Sequence, residues 1–216
     1  MENTNKIINK ICKEEVTNAI SHGLGAMLAV AGLVILIIYA NMFGTTKHIV
    51  TFSIFGASMI LLYLASTLYH SFPKGKVKDI LKICDHSAIF LLIAGSYTPL
   101  TLIVLKGRLG WTLFGIVWGI AIAGIIFKMF CFNKFKSFST LLYILMGWLV
   151  IFAIKPLFLS LSTASIVFLV AGGLLYTLGT IFYKWKSLKY SHTIWHMFVL
   201  GGSVCHFFTM FFILPR

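Results

Sequence analysis

Acidic residues are scarce in this chain: five Asp and Glu among 216 residues, against 18 Lys and Arg. Charged residues of both signs make up 11% of the chain, where a soluble domain carries about 25%. A water-soluble globular protein is therefore excluded. Proline is rare, at four, and no low-complexity or Ser-rich stretch interrupts the chain, so no linker divides it and no internal repeat stands out. The four cysteines, Cys12, Cys84, Cys131 and Cys205, are widely scattered without a CxxC pair, which gives no sign of a disulfide framework. Met1 to Glu15 holds no short apolar core followed by a small-residue cleavage site, so no removable signal peptide is expected. Arginine occurs only at Arg108 and Arg216 while Ile, Lys and Asn are common, a composition expected of an AT-rich bacterial genome.

What the chain has instead is hydrocarbon. Hydrophobic residues make up 59% and the mean hydropathy is +0.97. A membrane-crossing helix needs about 20 mostly apolar residues, and seven such runs are present, at roughly 20–40, 49–70, 86–105, 111–130, 138–155, 163–183 and 193–214. The expected fold is an all-α integral membrane protein, a seven-transmembrane helix bundle over 20–214 behind a short N-terminal segment, 1–19. Seven spans put the N-terminus and the loops after spans two, four and six on one side. Thirteen of the Lys and Arg residues fall there, Lys128 near the end of span four included, and five on the other: Lys47, Lys106, Arg108, Lys155 and Arg216. Short loops rich in Lys and Arg stay in the cytoplasm, so the N-terminus is expected inside and the C-terminus outside a bacterial cell membrane. The basic excess is thus a topology signal. It indicates membrane lipids as partners, and no nucleic acid.

Several features have structural readings. Gly115, Gly119 and Ala123 recur every four residues, a small-residue face suited to close helix contact and the one hint of an oligomeric interface. Pro99 should kink span three, while Pro73 and Pro156 follow the expected ends of spans two and five. Trp111, Trp148 and Trp185 are expected near the membrane interfaces.

The polar residues at the span ends carry the chemistry. His192 and His196 are four apart, which puts them on one helix face with Cβ atoms about 5–6 Å apart, close enough to share a metal ion. Span two ends Ser66-Thr67-Leu68-Tyr69-His70, and span three begins at Asp85-His86-Ser87. By the topology above, all these ends reach the cytoplasmic side. Singly, each has a simpler reading. His70 could be an interface histidine, Asp85 a helix cap or a partner of Lys82, and Ser66 a serine bonded back to its own helix. Together, three histidines with a carboxylate to hold a water form the pattern of a catalytic zinc site with one position open.

Ser66-x-x-x-His70, Asp85 with the following His-Ser-Ala-Ile-Phe-Leu-Leu-Ile-Ala-Gly-Ser-Tyr-Thr-Pro, and His192-x-x-x-His196 resemble the haemolysin III branch of the progestin and adipoQ receptor family. The opening Glu14-Glu15-Val16-Thr17-Asn18-Ala19-Ile20-Ser21-His22-Gly23 is similar as well, so the resemblance runs from about Glu14 to Phe208. It implies a seven-helix fold with the N-terminus inside and a zinc ion near the cytoplasmic face. By position it implies zinc on His70, His192 and His196, the water-holding carboxylate on Asp85, and the motif serine on Ser66.

Three functions follow as expectations. The first is a zinc-dependent hydrolase of lipid amide or ester bonds, with Asp85 and Ser66 catalytic. The second is a pore-forming cytolysin, as the family name suggests, although spans one, four and five offer almost no polar stripe. The third is a metal-stabilised sensor or receptor without turnover. His206, about 15 Å along the helix from His196, is too deep to share the metal and reads as a buried hydrogen-bonding histidine. His86 reads as structural or supporting, and His22 as a candidate partner for the ligands. Either Glu14 or Glu15 is a candidate to reach the same pocket, and the sequence does not choose between them.

Overall fold

A computed structural model describes residues 2–131 and 136–214, with side chains for 13–130 and 138–214. The loop cation Lys134 and Arg216 lie outside the described residues, as do the side chains of Lys6, Lys10, Cys12, Cys131 and Lys136.

Apolar runs in lipid must satisfy every backbone polar group within the run, and the helix does so. The helices are α1 (Glu2–Phe43), α2 (Thr46–Ser71), α3 (Lys76–Pro99), α4 (Gly107–Cys131), α5 (Lys136–Gly147), α6 (Ile154–Ser160), α7 (Thr163–Lys184) and α8 (Ser191–Phe211). No strand is present among the described residues. Among the described residues, seven segments are long and apolar enough to cross a membrane, as the hydropathy pattern predicts: Lys13–Phe43, Thr46–Ser71, Lys76–Leu105, Gly107–Phe130, Phe138–Ser160, Thr163–Lys184 and Ser191–Phe211. Large apolar side chains such as Ile122, Phe130, Phe152 and Leu159 stand exposed around the bundle, a surface suited to hydrocarbon and not to water.

The order of packing is a ring. Helices α1 and α2, α2 and α3, and α3 and α4 pack as sequential neighbours, α7 packs on α8, and α8 closes back on α1. At Gly25 the α1 backbone comes so close to α2 that an added Cβ would lie 2.6 Å from the Tyr63 ring. Tyr63 in turn donates a hydrogen bond to Ser203 Oγ (2.7 Å), tying α2 to α8. Between α7 and α8 the chain turns through Tyr190, which adopts a left-handed conformation (φ 58°, ψ 25°) and leads directly into the first turn of α8. That turn delivers His192 and His196 to the same end of the bundle as the start of α1, the end of α2 and the start of α3.

Two local expectations, on Pro156 and on Trp148, need correction. Span five does not end before Pro156. After α5 the chain passes through a 3₁₀ stretch, Trp148–Ala153, and continues as α6 to Ser160. Pro156 sits in the first turn of α6, where a missing N–H is tolerated. At Pro99 the helix changes winding, and α3 gives way to a π-helix over Leu100–Leu105. Gly115, Gly119 and Ala123 face outward, and a Cβ added at either glycine would meet nothing within 4 Å. Among the described residues this face meets no other helix closely, which leaves it open for a contact outside the bundle. Trp111 and Trp185 are exposed near span ends, but Trp148 lines an internal cavity and donates to Thr177 Oγ1 (3.0 Å).

Candidate metal centre

The last turn of α2 and the first two turns of α8 bring three imidazoles together. Ring centroids lie 5.0 Å apart for His70–His192, 5.1 Å for His70–His196 and 4.7 Å for His192–His196. One nitrogen from each lies within 4.8 Å of the others, so small side-chain movements would let all three meet one ion.

Hydrogen bonds on the far side of two rings settle which nitrogen faces inward. His70 Nδ1 donates to Glu15 Oε2 (3.1 Å), and Lys78 Nζ donates to the same oxygen (2.7 Å). His70 Nε2 is left buried with no hydrogen-bond partner among the described residues. Ser21 spends its one hydroxyl proton on the Asn18 carbonyl (2.8 Å), so at 3.0 Å from His196 Nδ1 it accepts that ring's N–H. His196 Nε2 is then the lone-pair nitrogen. Imidazoles that ligate a metal nearly always give their other N–H to a carboxylate, carbonyl or similar acceptor, which fixes tautomer and ring orientation. An inward lone pair without a partner, on a ring anchored by a carboxylate, fits a metal ligand well. Three neutral imidazoles suit zinc, and also iron, copper or nickel.

Asp85 and Ser66 border this trio without joining it. Asp85 lies buried in the third turn of α3. Because α3 begins at Lys76 and not at residue 86, Asp85 cannot act as its cap. Its carboxylate is outside the three-histidine cluster, and Oδ2 is 3.6 Å from His86 Nδ1. That nitrogen donates to the Lys82 carbonyl (2.9 Å). Ser66 is buried one turn before His70. Other hydroxyls of α2 bond back to their own helix, as Ser53 does to Ile49 O, Ser58 to Phe55 O and Thr67 to Tyr63 O. Ser66 does not. Its hydroxyl interacts with the Asp85 carboxylate, but in a geometry that leaves Oγ without a formed hydrogen bond.

Helix α1 contributes more than the sequence reading assigned to it. Glu15, not Glu14, reaches His70. Asn18 accepts a hydrogen bond from Thr193 (2.6 Å), the residue after the first α8 histidine. His22 stacks on His196 with centroids 3.4 Å apart and planes 13° from parallel, and meets Tyr63 edge-on at 5.0 Å. It supports a ligand by its ring face, and neither of its nitrogens has a partner among the described residues. Glu15, Asn18 and His22 recur at i, i+3 and i+7, one helical face. That periodicity is the signal by which the polar stripe could have been found. His86 is structural: it accepts from Tyr183 OH (3.4 Å), and its carbonyl accepts from Tyr143 OH (2.7 Å). His206 lies deep, as expected, but its Nε2 is buried without a hydrogen bond, contrary to the expected hydrogen-bonding role.

The histidine end opens on a cavity of about 180 Å³. Its lining runs from Ser66, Asp85 and His196 down to Leu100, Val150 and His206, mostly along apolar side chains of α3, α5, α7 and α8. The space exists because α5 packs only lightly on α3 and α7.

The fold and this site define a seven-span helical membrane protein with a largely buried three-histidine cluster that could hold a metal ion. Residues 10–207 match the family model described as haemolysin-III related. The chain is 53% identical over 209 residues to Hemolysin-3 of Bacillus cereus, covering 96% of this chain and 95% of that protein. It is 56% identical over 200 residues to the Hemolysin-3 homolog of Bacillus subtilis (strain 168), covering 93% and 94%. A more distant likeness, 26% over 211 residues, covers 95% of this chain and 86% of the human monocyte to macrophage differentiation factor. The chain belongs to the haemolysin III family, within the haemolysin III branch of the progestin and adipoQ receptors, and is a multi-pass membrane protein of the bacterial type.

Proposed function

We propose that this protein is a zinc-dependent hydrolase that cleaves an amide or ester bond of a membrane lipid, with its site toward the cytoplasmic face. The observation that carries this reading is the three-histidine cluster at the mouth of an apolar cavity, with an acid and an unbonded serine beside it. A purely structural metal site is closed by its ligands, and a catalytic one keeps a position open. Here three histidines lie within reach of one ion, and the Asp85 carboxylate stands outside their group.

Zinc held by His70, His192 and His196 would supply Lewis acidity, easing the ionisation of water and polarising a carbonyl. Asp85 would accept the proton of the attacking water as its oxygen bonds to the carbonyl carbon. Ser66 would donate its hydroxyl to the carbonyl oxygen as negative charge develops there. Asp85 would then return the proton to the departing amine or alcohol as the carbon–nitrogen or carbon–oxygen bond breaks. His70 and His196 would be held for this task by Glu15 and Ser21, and the apolar cavity would take the hydrocarbon of the acyl group away from water.

The competing reading is cytolysis, which the name Hemolysin-3 attributes to the Bacillus relatives. A water-filled pore needs a polar path along several helices, whereas the cavity lining is mostly apolar. Lipid profiling of the purified protein, with and without a chelator, tests the proposal. Chelator-sensitive release of a fatty acid supports hydrolysis. Dye leakage from liposomes that persists in chelator, with no lipid product, supports a pore.

A further inference from the structure

The deep end of the cavity holds a polar group that the proposed reaction does not use. Most other polar side chains there are engaged. Tyr97 OH donates to the Gly147 carbonyl (2.8 Å) and accepts from Val150 N–H (2.7 Å). Thr177 accepts from Trp148 and donates to the Gly173 carbonyl (2.7 Å). Tyr176 is joined to Ser203 (2.8 Å). His206 lines the same cavity, and neither of its nitrogens is hydrogen-bonded to a described residue. Its Nε2 edge rests on the α7 backbone, where a Cβ at Gly172 would come within 2.7 Å of Nε2. Nε2 is therefore buried, and Nδ1 is the nitrogen left to the cavity. Glycine at 172 makes the room for this ring, and Tyr176 meets the ring edge-on at 5.3 Å.

We infer that His206 is a recognition point for a hydroxyl carried partway along the hydrocarbon chain of the lipid, a site distinct from the metal centre. This rests on the reading of the cavity as an acyl-chain site. His206 is ten residues beyond His196, which on one helix is about 15 Å. A chain whose carbonyl lies at the histidine cluster would pass His206 well before its methyl end. A neutral imidazole shows the cavity either an N–H or a lone pair, and a hydroxyl pairs with both because it donates and accepts. The apolar side chains around the deep end disfavour a charged group there by its desolvation cost.

Competition binding to the purified full-length protein in nanodiscs tests this, with radiolabelled stearic acid as the tracer. The competitors are stearic acid, stearic acid hydroxylated near mid-chain, and stearic acid hydroxylated at the methyl end. The wild type should prefer the mid-chain hydroxyl about fivefold, the worth of one ordinary hydrogen bond. His206→Phe should bind stearic acid and zinc as the wild type does and lose the preference. His206→Gln, which keeps a donor and an acceptor, should retain part of it. Equal affinity for all three acids in the wild type overturns the recognition point while leaving the acyl-chain cavity standing. A preference that survives in His206→Phe overturns it as well. Failure of every acid to displace the tracer, or of the tracer to bind, overturns the lipid reading itself and this inference with it.

Discussion

His70 Nδ1 donates to Glu15 Oε2 at 3.1 Å, and the nitrogen across the ring is buried with no partner. A residue fifty-five positions away thus decides which face of the imidazole is offered to a metal. Such supporting carboxylates typically change metal affinity by about 10–100-fold. Glu15→Gln should lower zinc affinity by that order in a competition titration with a chromogenic chelator. Lys78→Ala should leave it nearly unchanged, because the partly exposed Lys78–Glu15 pair is worth little by itself.

Removing two of the three ligands is a coarser test of the same cluster. The His192→Ala plus His196→Ala double variant should carry almost no zinc by elemental analysis, where the wild type carries about one equivalent per chain. Because the ion would tie α2 to α8, metal binding energy is coupled to folding. Chelator should therefore lower the thermal midpoint of the wild type and leave that of the double variant unmoved. Full zinc in the double variant would mean that the ion sits elsewhere.

The expected orientation rests on charge. With thirteen cations on the side that holds the N-terminus and five on the other, a reporter active only outside the membrane should work when fused after Arg216 and stay silent when fused after Lys78. The opposite pattern would move the histidine cluster to the external face.

Much of this site was legible in the sequence, and the limit of legibility has a physical cause. The histidine spacing in α8 follows from 3.6 residues per turn, and alternate apolar runs return to the same side, so His70, Asp85, His192 and His196 could be brought to one depth without coordinates. Glu15, Asn18 and Ser21 could not be assigned partners. Hydropathy begins the first span near residue 20, while the helix carries the span back to Lys13. Which ring nitrogen each α1 residue meets depends on how α1 packs on α2 and α8, and spacing along one helix does not encode that packing. The same holds for Gly115, Gly119 and Ala123, whose spacing is right for helix contact but whose face points away from the bundle. At Pro156 the sequence signals a stop, yet the position also suits a helix start, and only the packing of α6 against α7 and the π-helix chooses between them.

In the proposed reaction Asp85 handles a proton beside the metal and is not itself a ligand. Its carboxylate lies outside the cluster of nitrogens and beside a serine that makes no hydrogen bond of its own. Asp85→Asn keeps the size and the hydrogen-bonding shape but cannot accept the proton, and a general base is worth about 10²–10⁴-fold in rate. The direct measurement is zinc content together with fatty-acid release from lipid by the purified wild type and the Asp85→Asn variant. Zinc should be unchanged and release reduced by at least about 10²-fold. Release at the wild-type rate, or loss of the zinc along with the activity, would contradict that role of Asp85.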